Sequence, residues 1–302
     1  MPISLFPADK RSLATDPKVK RRTLAWLLPL VLGWSAVVYA QTELSDLAKI
    51  RASGVLKVAV YKDNAPFSEG PATDMKGLDI AIAKALAKQL QLKLTLLPFD
   101  AGENMGDDLR NMVWRGHYLG YGPADVMMHV PVDKYLMQQN RQVLIFAPYM
   151  RQTQVLLHDT AVLPKVSGPE DLKGFKLAAE RGTGTASVLM GHSAGMLMSQ
   201  VALYNTGVEA AKAVIEGKAA AAFVMRSQAE SVLSQNKSQS AHWTLSPLPI
   251  YGVPENGWPL GMAIKTDYKD LAQALQKAMQ ELRDSGELLT IFKNHGMTLT
   301  SP

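Results

Sequence analysis

The segment Lys76-Gly77-Leu78-Asp79-Ile80-Ala81-Ile82-Ala83-Lys84-Ala85-Leu86 constrains the fold more than any other part of the chain. It follows an apolar run, Val55 to Tyr61, and a loop carrying Pro66-Phe67-Ser68. Gly77 ends the extended stretch, so an amphipathic helix begins at once. Leu78, Ile82, Ala85, Leu86 and Leu90 recur at the spacing of one helix face, and Leu92 to Leu97 then alternates as a strand does. Strand, loop, helix and strand in that order make a βαβ unit. Its loop stands at the carboxyl end of the first strand, where open α/β sheets place ligands.

With 302 residues the chain is long enough for two lobes, and 47% hydrophobic against 20% charged residues is the balance of a folded globular protein rather than a disordered one. The first forty residues differ from the rest. Lys18, Lys20, Arg21 and Arg22 precede a nearly uncharged apolar run, Leu24 to Ala40, closed by Val38-Tyr39-Ala40. This is the pattern of an export signal cleaved after Ala40, which places the protein in the periplasm. Left uncleaved, the same run of about 17 residues is at the lower limit for a membrane anchor. Six Lys and Arg and two Asp lie in residues 1–40, so of 32 basic and 27 acidic residues the remainder holds 26 and 25. The mature chain is therefore nearly neutral. No aromatic-interleaved basic stripe is present, and nucleic acid is not an expected partner. The absence of cysteine excludes disulfides, thiolate metal ligands and a Cys nucleophile.

Beyond the βαβ unit, Ala124 to Val130 is an apolar strand, and Val143 to Tyr149 runs on through Gln152 to His158 as a long extended segment. The second half repeats the grammar. Pro169 to Gly174 is a capped turn, Phe175 to Glu180 a strand, a helix is expected from near Ser187, another from Gly207 to Glu216, and a strand from Ala220 to Met225. Trp243 to Trp258 has little periodicity and suits a return connection, and Tyr268 to Arg283 is an amphipathic helix.

In this order the pieces resemble the family 3 extracellular solute-binding proteins, over about residues 53–297. The marks are Leu56 to Tyr61 with Pro66-Phe67, Lys76-Gly77-Leu78-Asp79, Ala124-Asp125-Val126, Phe146-Ala147-Pro148-Tyr149, Asp171-Leu172-Lys173-Gly174, Gly182-Thr183, and Leu282-Arg283-Asp284-Ser285-Gly286-Glu287-Leu288. The resemblance implies an α/β, two-lobed periplasmic-binding-protein type II fold with two crossing segments. Lobe one would take residues 45–150 and 245–302, lobe two residues 151–244, and a ligand would sit in the cleft. The family's amino-acid receptors hold the α-carboxylate with a Ser/Thr-rich segment and an Arg, and the α-ammonium with a lobe-two acid. Here those places read His129-Val130-Pro131-Val132-Asp133, with Arg141 out of register, and Met225 followed by Arg226. The departure points away from an ordinary α-amino acid. His129-Val130-Pro131 is also similar to a divergent branch associated with periplasmic quinoprotein alcohol dehydrogenases, whose members bind pyrroloquinoline quinone or assist maturation.

Several residues are candidates for the cleft. Arg181-Gly182-Thr183-Gly184-Thr185 brings backbone N–H groups, two hydroxyls and a guanidinium to a helix N-terminus, a recipe for a carboxylate or phosphate; the alternative is a plain turn capped by Thr185. Phe67 and Tyr149 are candidate walls for a planar ligand or else packing, with Trp258 and Trp114 equally open. Arg151 and Arg226 stand where a crossing segment and a strand end should face the cleft, and surface ion pairs are the competing role. His129 is either a ligand contact or a satisfied core histidine, and Asp79 is expected to cap or anchor its helix rather than meet a ligand. No metal spacing or nucleophile elbow occurs, and Gly191-His192-Ser193-Ala194-Gly195 only echoes an elbow in reverse. The expectation is a non-enzymatic, monomeric solute-binding protein that closes on a small anionic or planar solute for an ABC permease, without a cofactor. The alternatives are an accessory factor of a quinoprotein dehydrogenase and a cleft dehydratase recruiting Glu180 or Glu255.

Overall fold

The computed structural model describes residues 44–236 and 242–302; the expected signal, residues 1–40, lies outside them. Among the described residues no helix is long and apolar enough to cross a membrane. The chain starts with α1 (Asp46–Ser53), capped by Ser45 and closed by Gly54 in the left-handed region, then β1 (Val55–Tyr61), α2 (Leu78–Gln89) and β2 (Lys93–Phe99). β1 and β2 pair in parallel from Val55 opposite Lys93 to Tyr61 opposite Phe99, which realises the βαβ unit. A short helix α3 (Met105–Leu109) runs into a π-turn, Arg110–Trp114, followed by β3 (Val126–Pro131), α4 (Lys134–Gln139) and β4 (Val143–Gln152).

After Thr153 the chain enters a second sheet through β5 (Gln154–Asp159), β6 (Leu177–Glu180), α5 (Gly184–Gly195), β7 (Val201–Tyr204), α6 (Gly207–Ile215), β8 (Ala221–Met225), α7 (Arg226–Gln235) and β9 (Trp243–Ser246). It then returns through β10 (Trp258–Lys265), α8 (Lys269–Asp284) and α9 (Glu287–Asn294). The two five-stranded sheets have the orders β2-β1-β3-β10-β4 and β7-β6-β8-β5-β9. Each is mixed: β10 runs antiparallel to β3 and β4, and β5 antiparallel to β8 and β9.

Period-two alternation gives each sheet two apolar faces, so each needs cover on both sides. In the first lobe Leu56, Val58, Val60 and Met262 face Ile82, Leu86, Leu275 and Phe292 of α2, α8 and α9, while Ala59, Met127 and Ala263 face Leu109, Met112 and Val113. In the second, Val155 and Leu157 face Ala210, Val214 and Val232 of α6 and α7, and the intervening Leu156 faces Leu189 of α5 with Phe223. A third link between the lobes is not covalent: Thr298 N–H donates to Glu230 Oε2 of α7 at 2.8 Å. The same C-terminal segment is tied to the first sheet, where Thr300 Oγ1 donates to Arg151 O of β4 at 2.6 Å and accepts from Arg151 N–H at 3.2 Å.

Several elements differ from the expectation. Helix α5 starts at Gly184 rather than near Ser187, because Thr183 is its cap, and it breaks where His192 leaves helical geometry and Ser193 and Ala194 turn to φ 46° and 56°. Strands β7, β9 and β10 and helix α7 lie where no regular element was read. All three strands are short or glycine-interrupted, and pairing within the sheet, not local pattern, holds them.

Candidate functional site

Two irregularities in the first sheet build the site. Opposite β10 the register shifts in both neighbours, between Gly261 and Ala263 on the β3 side and between Leu260 and Met262 on the β4 side. At those shifts His129 has φ 64° and Ala147 φ 47°. A bulge with a residue in the left-handed region turns a side chain out of the strand's alternation. Gly261 is what permits it, since a Cβ there would lie 2.5 Å from Phe146 O and 2.9 Å from Val132 Cγ2. His129 and Tyr149 are thereby brought to the first turn of α2. Asp79, 1% exposed, accepts from the Tyr149 hydroxyl at 2.6 Å on Oδ1 and stands 2.9 Å from His129 Nδ1 through Oδ2. Burial, and then the Asp79 charge, pushes the Tyr149 phenol well above its ordinary range. Phe67 closes the cluster with its ring centroid 4.3 Å from that of His129, and its carbonyl accepts from Asp79 N–H at 2.9 Å.

A cavity of about 240 Å³ opens here between the lobes. Asn64, Phe67, His129 and Trp258 line it from the first lobe, Glu180, Met225 and Gln228 from the second, and Gln152 from the crossing strand. Gln228 is held between its own strand end and the acid: its Oε1 accepts from Met225 N–H at 3.1 Å and its Nε2 donates to Glu180 Oε2 at 3.0 Å. A second cavity of about 430 Å³ lies within the first lobe, against Tyr61, Phe99 and the Lys62–Asp100 ion pair of 2.7 Å. The two share Asn64, Met105 and His129. The second falls within the roughly 300–1,000 Å³ usual for small-molecule sites, and the first is somewhat smaller.

Of the residues singled out in the sequence, Phe67, His129, Trp258 and Glu180 line the cavity, and Tyr149 stands behind His129 as a fully buried partner of Asp79. The others are placed elsewhere. The Arg226 guanidinium meets Glu230 at 3.2 Å, one helical turn on, and Arg151 donates to the carbonyls of Asn256 at 3.1 Å and Ser301 at 3.3 Å. Thr183 caps α5, accepting from Ala186 N–H, and donates to Glu180 O, so its hydroxyl is occupied. Thr185 is buried and accepts from Gln154 Nε2 at 3.4 Å rather than capping the helix, while Arg181 and Gly184 are exposed. The echo of a nucleophile elbow forms no relay, because Ser193 Oγ and Glu170 Oε1 approach the same nitrogen, Nε2 of His192, at 3.1 and 3.0 Å. Gln228 and Gln152 gave no signal in the sequence: an isolated glutamine on a helix or at a strand end looks like any polar surface residue.

Behind the larger cavity the Tyr61 hydroxyl donates to Asp108 Oδ2 at 2.7 Å, and Gly102 N–H donates to Oδ1 at 2.7 Å. Burial raises the Asp108 carboxyl above its ordinary range against the pull of these two bonds, and burial followed by the Asp108 charge pushes the Tyr61 phenol upward. A carboxyl raised on folding stabilises the fold fully below the unfolded pKa, and that stability is lost as pH rises through the folded value. Asp108→Asn removes the titration. Denaturation at a series of pH values should show the wild type losing stability relative to the variant between acid and neutral pH; a constant difference would refute this.

The fold is that of the two-lobed type II solute-binding proteins, with the candidate site in the interlobe cleft. No family model and no curated protein matches the chain. Solved structures do, and at 17–21% identity they define the fold. One is an ancestral cationic amino acid solute-binding protein, elsewhere described as a precursor of cyclohexadienyl dehydratase, with 21% identity, a TM-score of 0.64, and 83% of this chain and 99% of that one covered. An amino acid ABC transporter substrate-binding protein from Streptococcus pneumoniae, bound to L-arginine, gives 21%, 0.59, 85% and 100%. A polar amino acid ABC uptake transporter substrate-binding protein from Streptococcus thermophilus gives 17%, 0.62, 87% and 94%.

Proposed function

We propose that the chain is a periplasmic solute-binding protein whose lobes close on a small planar solute and hand it to an ABC permease. The observation that carries this reading is the cavity lined from both lobes, with Phe67, His129 and Trp258 on one side and Glu180, Met225 and Gln228 on the other. Closing lobes on a solute desolvates its hydrogen bonds and gives a partner a distinct shape to read. Of the two solute classes expected from the sequence, the planar one suits this lining better. Its charged side chain is the Glu180 carboxylate, and no Arg or Lys is among the described residues that line it. A carboxylate facing an anion in a desolvated site is repulsive. Pyrroloquinoline quinone is planar but carries three carboxylates, so this cavity offers it a like charge and no cation. The accessory role beside a quinoprotein dehydrogenase accordingly has less support than transport, and a dehydratase has only the single cleft carboxylate Glu180 in its favour.

A thermal-shift screen against amino acids, dicarboxylates, sugar acids, amino-heterocycles and pyrroloquinoline quinone tests the reading. A ligand at 100 times its Kd adds about 2.7 kcal/mol of stability, equivalent to roughly 5–10 °C in Tm for a protein of this size. Planar solutes should give such shifts. Shifts confined to dicarboxylates or the quinone would favour the anionic solute instead, and no shift with any class would overturn the solute-binding reading.

A further inference from the structure

We infer that His129 selects the solute by presenting the lone pair of its Nε2 to the cavity, with Asp79 and Tyr149 as the positioning residues that hold the ring in that tautomer; this rests on the solute-binding reading above. An ionised carboxylate only accepts hydrogen bonds. Asp79 takes the Tyr149 hydroxyl on one oxygen and faces His129 Nδ1 with the other, so the imidazole proton belongs on Nδ1. In the neutral ring the other nitrogen is then a bare acceptor. Among the described residues Nε2 has no hydrogen-bond partner, and the ring lines both cavities with 16% of its side chain exposed. Phe67 packs on its face, and the Tyr61 ring stands edge-on with centroids 6.4 Å apart, which together hold the plane of the imidazole. The titratable groups around it are Asp79 from α2, Tyr149 from β4, Tyr61 from β1 and Glu180 across the cavity from β6.

Across the cavity, Glu180 accepts from Gln228 through Oε2, and its other oxygen has no partner among the described residues. Two acceptors on opposite lobes match a planar solute with N–H groups along its edge, such as an amidine, a guanidine or an amino-heterocycle. A carboxylate in the same place would set lone pairs against lone pairs, which is how a site rejects a near-isostere. The bulge at His129 and the buried acid behind it thus serve specificity as well as packing.

Two-bond proton–nitrogen spectra of the full chain carrying ¹⁵N-histidine, in mildly alkaline buffer, read the tautomer directly, with His129→Gln assigning the signal. The expected result is a protonated Nδ1 and a bare Nε2. Asp79→Asn puts an NH2 group within reach of Nδ1 and should move the proton to Nε2. Benzamidine and benzoate, alike in shape and opposite in hydrogen-bonding sense, then test selection: benzamidine should raise the Tm of the wild type and benzoate should not, and Asp79→Asn should weaken benzamidine binding at least tenfold. A wild-type ring protonated on Nε2, a preference for benzoate, or benzamidine without effect while other solutes bind would each overturn the inference. Should Asp79→Asn fail to fold, the wild-type tautomer and the order of the two probes still decide. A protein that no solute stabilises would instead sink the solute-binding reading, and the tautomer would judge the positioning of His129 separately.

Discussion

Gly77→Ala is expected to lower the stability of the protein by about 3–5 kcal/mol, the sum of a backbone held where L-residues are strained and an overpacked contact that cannot relax. Gly77 has φ 123° and ψ 175°, and a Cβ there would lie 2.3 Å from Phe67 O and 2.8 Å from Ser68 N. Neither atom is the end of a flexible side chain. Phe67 O accepts from Asp79 N–H, Pro66 O accepts from Leu78 N–H, and Ser68 is bridged to Asn64, so the loop that would have to move is tied to the helix it precedes. The variant should therefore lose solute binding together with stability, since Phe67 and Asn64 line the cavity. Urea denaturation measures the first effect. A loss below about 1 kcal/mol would mean that the loop and the helix are not locked to one another, since at a compatible site the same change stabilises by about 0.4–1 kcal/mol.

That glycine was legible in the sequence because local chemistry alone explains it: an extended run stops, a helical period starts, and a residue without a side chain stands between them. The βαβ unit and the second α/β half were legible for the same reason, whereas Asp79, expected to cap or anchor α2, anchors it without capping, through partners 50 and 70 residues away. Strand β10 was not, because Trp258-Pro259-Leu260-Gly261 carries the signs of a loop and becomes a strand only by inserting between β3 and β4. The bulges were equally hidden. Met127-Met128-His129-Val130 has the pattern of an ordinary buried strand, and nothing local marks His129 for a positive φ; the register shift that accommodates it is at Gly261 of β10, more than a hundred residues away. The candidate arginines show the opposite situation. Glu230 stands four residues after Arg226, a spacing that favours an ion pair on a helix surface, so the competing role of Arg226 could be read locally while the pairing of Glu180 with Gln228 could not.

Asp79→Ala should have the larger functional effect, with a stability loss of about 3–5 kcal/mol, the scale of removing one partner from a buried charged group. The substitution removes the acceptor of two donors at once. Tyr149 is 0% exposed and its hydroxyl donates to Asp79, so the buried proton would be left without that acceptor, at about 1–3 kcal/mol. His129 would keep its bulged backbone and its packing against Phe67 but lose the contact that places its proton. Affinity for a solute found in the screen should fall at least tenfold, about 1.4 kcal/mol. Tyr149→Phe separates the two consequences. It deletes the buried hydroxyl with its donor and leaves Asp79 facing His129, so affinity should fall less than in Asp79→Ala. Combining the variants should cost less than their sum, because the hydroxyl that Asp79→Ala strands is already gone. Additive losses in denaturation and in binding titrations would show that Tyr149 is not coupled to Asp79, and the positioning of His129 would then rest on Asp79 and the bulge without the hydroxyl.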